Sequence, residues 1–123
     1  MKELFYTVNL INHEYWVAVY IGKDYKQVEK RILKHFEGNR PDDMEMEKFR
    51  GKCWMREGYA PFILVNTKHC KTIIKICATL AHESFHALQD IFEMIGEPFK
   101  GEIPAHSISI ILKEFEYYRN KKI

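Results

Sequence analysis

Cysteine is scarce in this sequence, and its few residues are not spaced for pairing. The chain has three cysteines, Cys53, Cys70 and Cys77, and no C-x-x-C motif. Small secreted domains usually carry an even number of cysteines, and structural zinc or redox sites usually use C-x-x-C pairs. The cysteines therefore indicate reduced thiols, and we expect a cytoplasmic location.

Long apolar runs are also missing. No stretch is long and apolar enough to cross a bilayer, and the N-terminus has no apolar segment of the signal-peptide type. We therefore expect no membrane partner for this chain.

Neither sign of charge is in strong excess. There are 19 Lys and Arg against 17 Asp and Glu, which gives a net charge of +2. The acids Glu29 and Glu37 interrupt the basic patch on the first predicted helix, which consists of Lys30, Arg31, Lys34 and His35. Nucleic-acid binding normally needs a strong, continuous basic surface, so the sequence does not favour a nucleic-acid partner.

What remains is the composition of one ordinary globular domain. Apolar residues make up 46% of the chain and charged residues 29%, and no internal repeat or low-complexity segment is present. A chain of this length builds one modest core and does not divide into two. We therefore expect a single domain over residues 1–123.

Hydrophobic periodicity predicts seven elements in the order β-β-α-β-β-α-α. Strands are predicted at 3–11, 14–21, 52–57 and 62–66, and helices at about 25–37, 69–95 and 103–120, with a surface loop at 39–51. Asn12-His13 is the predicted hairpin turn, Asn66-Thr67 the predicted cap of the long helix, and Gly96 its stop. Strands and helices do not alternate as in βαβ units. The sequence therefore predicts an α+β fold, with a small antiparallel or mixed sheet packed on the long helix and further helices N- and C-terminal to it.

One stretch of the long helix carries a recognisable chemistry, the motif H-E-x-x-H. Residues four apart on a helix share a face, so His82 and His86 can bind one Zn²⁺ ion. Glu83 projects from the same side, where it can act on a metal-bound water. A surface stripe of these three side chains without metal is the alternative. The apolar flanks of the motif favour the zinc site, because they put its polar side chains at the boundary of the core.

A catalytic zinc site needs a third protein ligand. After the helix stop, the candidates are Glu97, Glu102 and His106. Glu97 follows the helix too closely to fold back easily, whereas Glu102 and His106 are four residues apart near the start of the last helix. Spacing alone does not choose between Glu102 and His106.

The motif and its downstream residues resemble a known family. The matching segments are T-L-A-H-E-S-F-H-A at 79–87, I-G at 95–96 and E-I-P-A-H at 102–106. They resemble small zinc metallopeptidases encoded by phages and prophages, which are zincin-like proteins of the gluzincin type. Glu102 falls on the family's third ligand, and His106 stands where the family usually has tyrosine, so His106 is the rival third ligand.

The resemblance covers about residues 62–116 and implies both a fold and a function. It implies a zincin-like domain that hydrolyses peptide bonds in a protein or peptide substrate. Metal-activated water would attack the peptide bond, with Glu83 as general base and then general acid. The alternative is a non-catalytic zincin-like module, in which zinc is structural and the surface binds a protein partner. The sequence leaves the substrate and the oligomeric state open.

Further roles follow from the implied mechanism. His106 and Tyr59 are candidate donors to the oxyanion. Asp90, four residues after His86, is a candidate hydrogen-bond partner for the outer nitrogen of that imidazole, or else an exposed helical aspartate. The resemblance also places a strand near residues 54–65 along the substrate cleft.

Overall fold

One mixed sheet of four strands forms the centre of the molecule. The computed structural model describes residues 2–11 and 14–121. The strands are β1 (Leu4–Leu10), β2 (Tyr15–Gly22), β3 (Gly51–Trp54) and β4 (Phe62–Asn66), and the helices are α1 (Tyr25–His35), α2 (Ile73–Ile95) and α3 (Glu102–Asn120). The strands lie in the order β1-β2-β4-β3. The predicted α+β class, element order and mixed sheet are confirmed.

The two outer pairs of strands are antiparallel, and the central pair is parallel. β1 pairs with β2 and β3 with β4 in antiparallel register, whereas β2 and β4 run parallel. Parallel neighbours need a long crossover connection, which here includes α1 and β3. This crossover puts β1 and β3 at the two edges of the sheet.

Helices cover both faces of the sheet. Val17, Val19 and Ile21 of β2 lie in the core formed with α2 and α3, whereas Ala18 and Tyr20 lie in the core formed with α1. Successive strand residues point to opposite faces, so a strand covered on both sides must be apolar throughout. Residues 17–21 of β2 are apolar and buried, as this requires.

The start of α2 differs from the prediction. α2 begins at Ile73, and its cap is Thr72, whose side chain accepts a hydrogen bond from the Lys75 N–H (3.2 Å). The predicted capping residue Asn66 instead ends β4, where it is buried. Its side-chain amide donates to the backbone carbonyls of Met46 (3.1 Å) and Phe49 (3.0 Å). The predicted cap was wrong because these tertiary acceptors hold the Asn66 amide.

β3 and α1 both end earlier in the structure than the sequence predicted. β3 ends at Trp54 rather than residue 57, because a turn follows in which the Tyr59 N–H donates to the Arg56 carbonyl (3.1 Å) and Gly58 has φ 85°. α1 ends at His35 rather than residue 37. The predicted loop at 39–51 contains one 3₁₀ turn at Met46–Lys48.

The C-terminal end of α2 agrees with the prediction. Gly96, with φ 72°, ends α2 as predicted. The predicted hairpin turn, Asn12-His13, lies outside the described residues. Within the described part of the chain, no helix has the length and apolar character that crossing a membrane requires.

Candidate metal centre

The two histidines of the motif lie on one face of α2, with their rings close together. The Nε2 atoms of His82 and His86 are 3.2 Å apart, and the ring centroids are separated by 4.8 Å. His82 is exposed and His86 is half-buried. The helix therefore brings both Nε2 atoms together near the surface, on the common face that the sequence predicted.

Glu83 turns from the histidines toward the sheet. Its side chain lies under β3, and the residue is only 8% exposed. Burial raises the pKa of the Glu83 carboxyl above its ordinary value, and His82, His86 and Lys52 partly oppose this. A carboxyl with a raised pKa holds a transferred proton more readily than an exposed glutamate does.

Gly51 lets the β3 backbone approach Glu83 closely. A Cβ atom at Gly51 would clash with Thr79 Cγ2 and would lie 3.1 Å from Glu83 Cγ. A glycine inside a strand often marks such a close approach of backbone to another group. The sequence interpretation missed Gly51, which it assigned to the loop, and the available signal was a glycine opening a short strand.

A surface cleft lies between the free edge of β3 and the motif. It has a volume of about 520 Å³, and it is lined by Arg50, Gly51, Ala78, Thr79, His82 and Glu83. The Asn66 N–H donates to the Arg50 carbonyl (2.8 Å), so Arg50 directs its backbone groups toward β4. Every second residue of a strand points its backbone groups to the same side, so Lys52 and Trp54 also bond to β4. Gly51 and Cys53 therefore direct their N–H and C=O groups away from β4, and Gly51 does so at the cleft.

An aromatic pair flanks the histidines on the side away from β3. Phe85 is 43% exposed, and its ring lies 6.0 Å from the His86 ring. Phe99, from the α2–α3 connection, packs edge-on against Phe85 at 4.9 Å. The two histidines thus lie between a polar strand edge and an apolar aromatic pair.

Asp90 lies one turn beyond His86 and is half-buried. Burial raises the pKa of its carboxyl, and the Glu93 carboxylate adds to that effect. No hydrogen bond joins Asp90 to His86 within residues 2–11 and 14–121. Its role as a partner of the imidazole therefore stays a prediction.

Glu102 and His106 lie elsewhere on the surface. Both are exposed on the first turns of α3, and both line a groove of about 570 Å³ beside the end of β1 at Asn9, Leu10 and Ile11. In the described part of the chain, no three or more His, Cys, Asp or Glu side chains are grouped closely enough to hold a metal ion. The structure brings His82, Glu83 and His86 together but not the third ligand, which stays a prediction.

Tyr59 and Trp54 lie on the opposite face of the sheet from the motif. The Tyr59 hydroxyl donates to Glu37 (3.3 Å), and its ring packs edge-on against Phe36 (5.6 Å) beside α1. Trp54 is buried in the same cluster, because its position in β3 points toward α1. The structure therefore does not bring Tyr59 to the site as an oxyanion donor, and neither aromatic residue lines the cleft.

Comparisons with known proteins add no further constraint. No protein-family model, curated protein or solved structure matches this chain. The features that bear on function are therefore the H-E-x-x-H motif and the geometry around it.

Proposed function

We propose that the chain is a zinc-dependent metallopeptidase with a zincin-like fold, acting on protein or peptide substrates. One observation carries the proposal: the Nε2 atoms of His82 and His86 are 3.2 Å apart, beside the buried carboxyl of Glu83. Two nitrogen ligands in a tetrahedral zinc site lie about 3.3 Å apart, so the pair fits the ion without rearrangement.

His82, His86 and Glu102 are the proposed zinc ligands, and His106 is the rival for the third position. Imidazole nitrogens with one carboxylate form a donor set that catalytic zinc commonly uses. Binding Glu102 requires the first turn of α3 to approach the histidines. Gly96 and Gly101, with φ of 72° and 86°, bound the connection that would move.

Glu83 is the proposed proton carrier. Bound zinc would lower the pKa of a coordinated water and polarise the scissile carbonyl. The Glu83 carboxylate takes the proton of the attacking water and later gives it to the leaving amine. Its burial under Gly51 supports this role, because the raised pKa favours the protonated form that must exist between the two transfers.

The free edge of β3 is the proposed support for an extended substrate. Gly51 and Cys53 present outward N–H and C=O groups on the free side of β3, where Gly51 lines the cleft. An added strand can pair with such groups through its own backbone. Backbone pairing does not depend on side-chain identity, so this contact holds a peptide without selecting its sequence.

We also propose that the protein works in the cytoplasm. Cys53, Cys70 and Cys77 are all free thiols in the structure. Free thiols are maintained in a reducing compartment.

The test is zinc content measured together with hydrolysis of a denatured protein. We expect the wild type to bind zinc and cleave the substrate, and Glu83→Gln to keep zinc while losing about 10²–10⁴-fold in rate. Glu93→Gln, on the same helix, is the matched control and should keep full activity. A zinc-loaded wild type that cleaves no unfolded protein would contradict the peptidase and favour the non-catalytic module.

The third ligand is tested by a separate pair of variants. Glu102→Ala should lose zinc, whereas His106→Ala should retain it, because the resemblance assigns the ligand to Glu102. Loss of zinc from His106→Ala alone would transfer the ligand role to His106.

A further inference from the structure

The edge of the sheet opposite the metal centre presents unpaired backbone groups, and their direction follows from β2. The Ala18 N–H donates to the Pro61 carbonyl (3.0 Å), and the Thr67 N–H donates to the Gly22 carbonyl (3.1 Å). Even-numbered residues of β2 therefore direct their backbone groups toward β4 and its flanking residues. Because adjacent residues of a strand direct these groups to opposite sides, Val17 bonds to β1.

The register of β1 on β2 then identifies the outward residues. Val8 is paired with Val17, so Val8, Tyr6 and Leu4 hydrogen-bond to β2. Phe5, Thr7 and Asn9 direct their N–H and C=O groups away from the sheet. Across residues 2–11 and 14–121, no other backbone or side-chain group bonds to these outward groups.

β1 carries none of the usual protections of an edge strand. Its seven residues include no charged residue, proline or glycine, and Thr7 and Asn9 are exposed. Natural edge strands are normally short, charged, interrupted by proline or covered, because an open edge pairs with other strands. A seven-residue uncharged edge is therefore expected to have a partner.

Pairing of β1 with itself satisfies the outward groups of both copies, and this favours a second copy of the same chain. Phe5, Thr7 and Asn9 are centred on Thr7, so antiparallel pairing about a twofold axis places Thr7 opposite Thr7 of the second copy. Phe5 of each copy then faces Asn9 of the other. Every outward group in this set gains a partner, and Thr–Thr pairs across antiparallel strands are favourable.

The helix behind β1 supplies the apolar area that a strand pair lacks. α3 packs on β1, and its outer face carries Ile103 and Tyr117, each 58% exposed, with the half-buried Ile110 between them. Lys113 lies on the same face, and its long side chain can extend to solvent from the rim. A stable interface buries about 800 Å² on each partner, so the interface must include this face of α3 as well as β1.

We propose that the protein forms a twofold-symmetric dimer in which β1 pairs with β1 of a second copy. The result is one sheet of eight strands, four from each copy. β3 and the metal centre lie at the far ends of this sheet and stay open. The strand pair uses none of His82, Glu83 and His86, so dimer formation and peptide hydrolysis are tested by different measurements. Glu102 and His106 line the groove between β1 and α3 and therefore lie beside the proposed interface.

The experiment is sedimentation equilibrium of the whole chain with its mass measured across concentrations. We expect twice 14.7 kDa at about 100 µM and dissociation on dilution. Thr7→Lys places two ammonium groups opposite each other and should raise the dimer dissociation constant about tenfold or more. Asn9→Lys faces Phe5 of the other copy and should raise it less, and Thr7→Val, the matched control, should keep the wild-type constant.

Amide hydrogen exchange of the wild type is a second measurement that needs no variant. The N–H groups of Thr7 and Asn9 should exchange more slowly at high concentration than at low, because dimer pairing protects them. A single-copy mass at about 100 µM, or a Thr7→Lys variant that dimerises like wild type, overturns the proposal. Exchange at Thr7 that is fast and independent of concentration overturns it as well.

Discussion

The two edge strands of the sheet differ in length, in charge and in the helix behind them. β1 has seven residues, none of them charged, and it lies on α3. β3 has four residues, begins with glycine, carries Lys52 and lies on α2. Both edges present free backbone groups, but β3 presents them over the buried carboxyl of Glu83.

This difference shows how the helix beneath an edge decides what the edge can do. At β3, Gly51 has no side chain, so the strand backbone lies close to Glu83. The strand edge and the Glu83 carboxyl therefore line the same cleft. At β1, the side chains that face α3 lie between the strand backbone and the helix. The edge of β1 is also long enough for a second strand to pair along it. Four residues are few for stable pairing, which limits unwanted association at the β3 edge.

The largest expected effect comes from filling the close contact at β3. Gly51→Ala puts a methyl group against Thr79 Cγ2 and Glu83, so we expect a loss of about 1–3 kcal/mol in the free energy of unfolding. Displacement of Glu83 should also slow peptide hydrolysis. Urea denaturation and a peptidase assay measure the two effects.

Thr79→Ser offers a matched rescue of that variant. It removes Cγ2 but keeps the hydroxyl, which lies 3.3 Å from Cys70 Sγ. The double variant Gly51→Ala/Thr79→Ser should recover part of the lost stability. If Gly51→Ala alone is as stable and as active as wild type, the close approach of β3 has no consequence.

The next effect concerns the residue that anchors the chain leading into β3. Asn66→Ala leaves the carbonyls of Met46 and Phe49 without their donor, so we expect a loss of about 1–3 kcal/mol in urea denaturation. Asn39→Ala, whose amide makes one exposed contact to Tyr59, is the control and should change stability by less than about 0.5 kcal/mol. Equal effects of the two variants would show that Asn66 does not anchor this segment.

A smaller, pH-dependent effect is expected from the carboxyl that β3 buries. In zinc-free protein the pKa of the Glu83 carboxyl is raised in the folded state, so the unfolded chain loses this proton at a lower pH than the folded chain does. Between the two pKa values the folded state binds more protons. The free energy of unfolding therefore falls as the pH rises through that interval. Glu83→Gln should therefore be more stable than wild type at neutral pH, and the difference should disappear in acid. Thermal unfolding with a chelator, from pH 8 down to about pH 4, measures this. Glu93→Gln should show no such trend, and a Glu83→Gln variant less stable than wild type at pH 8 would reverse the sign assigned here.

The smallest effect is expected beneath the other edge. The Tyr6 hydroxyl of β1 is buried without a hydrogen-bond partner in the described residues, while its ring stacks on Tyr118 at 4.9 Å. Tyr6→Phe keeps the stacking and removes the unpaired group, so stability should be unchanged or rise by up to about 1 kcal/mol. Tyr20→Phe is the comparison, because its hydroxyl donates to Glu3 (3.0 Å) and its removal should be destabilising. A clear loss of stability in Tyr6→Phe would mean that this hydroxyl has a partner in solution.

Much of the fold follows from the sequence, because local patterns dominate it. The strand Phe62–Asn66 and the end of α2 at Gly96 match their predictions, since an apolar run and a left-handed glycine are strong local signals. The start of α2 was not predictable, because the acceptors that hold Asn66 come from a distant segment. Long-range hydrogen bonds of this kind leave no periodic signal.

The candidate site also has a part that the sequence predicts and a part that it does not. His82, Glu83 and His86 belong to one helix, so their spacing alone predicts a common face. The positions of Glu102 and His106 depend on the path of the six residues between α2 and α3, and helix periodicity does not determine that path. The facing of Trp54 depends on the pleat of β3, whose bounds the sequence placed only approximately, and the position of Tyr59 depends on the turn that follows this strand.

The parallel pair at the centre of the sheet has a consequence for folding kinetics. β1 and β2 form one local hairpin, and β3 and β4 form another, but β2 meets β4 only across the long stretch that contains α1. Loop-closure entropy delays contacts between distant segments, and high contact order slows folding. We expect the two hairpins to form first and their joining along β2 and β4 to be rate-limiting. β3, the strand that covers Glu83, can thus fold with α2 as one continuous stretch of chain before the rest of the sheet is in place.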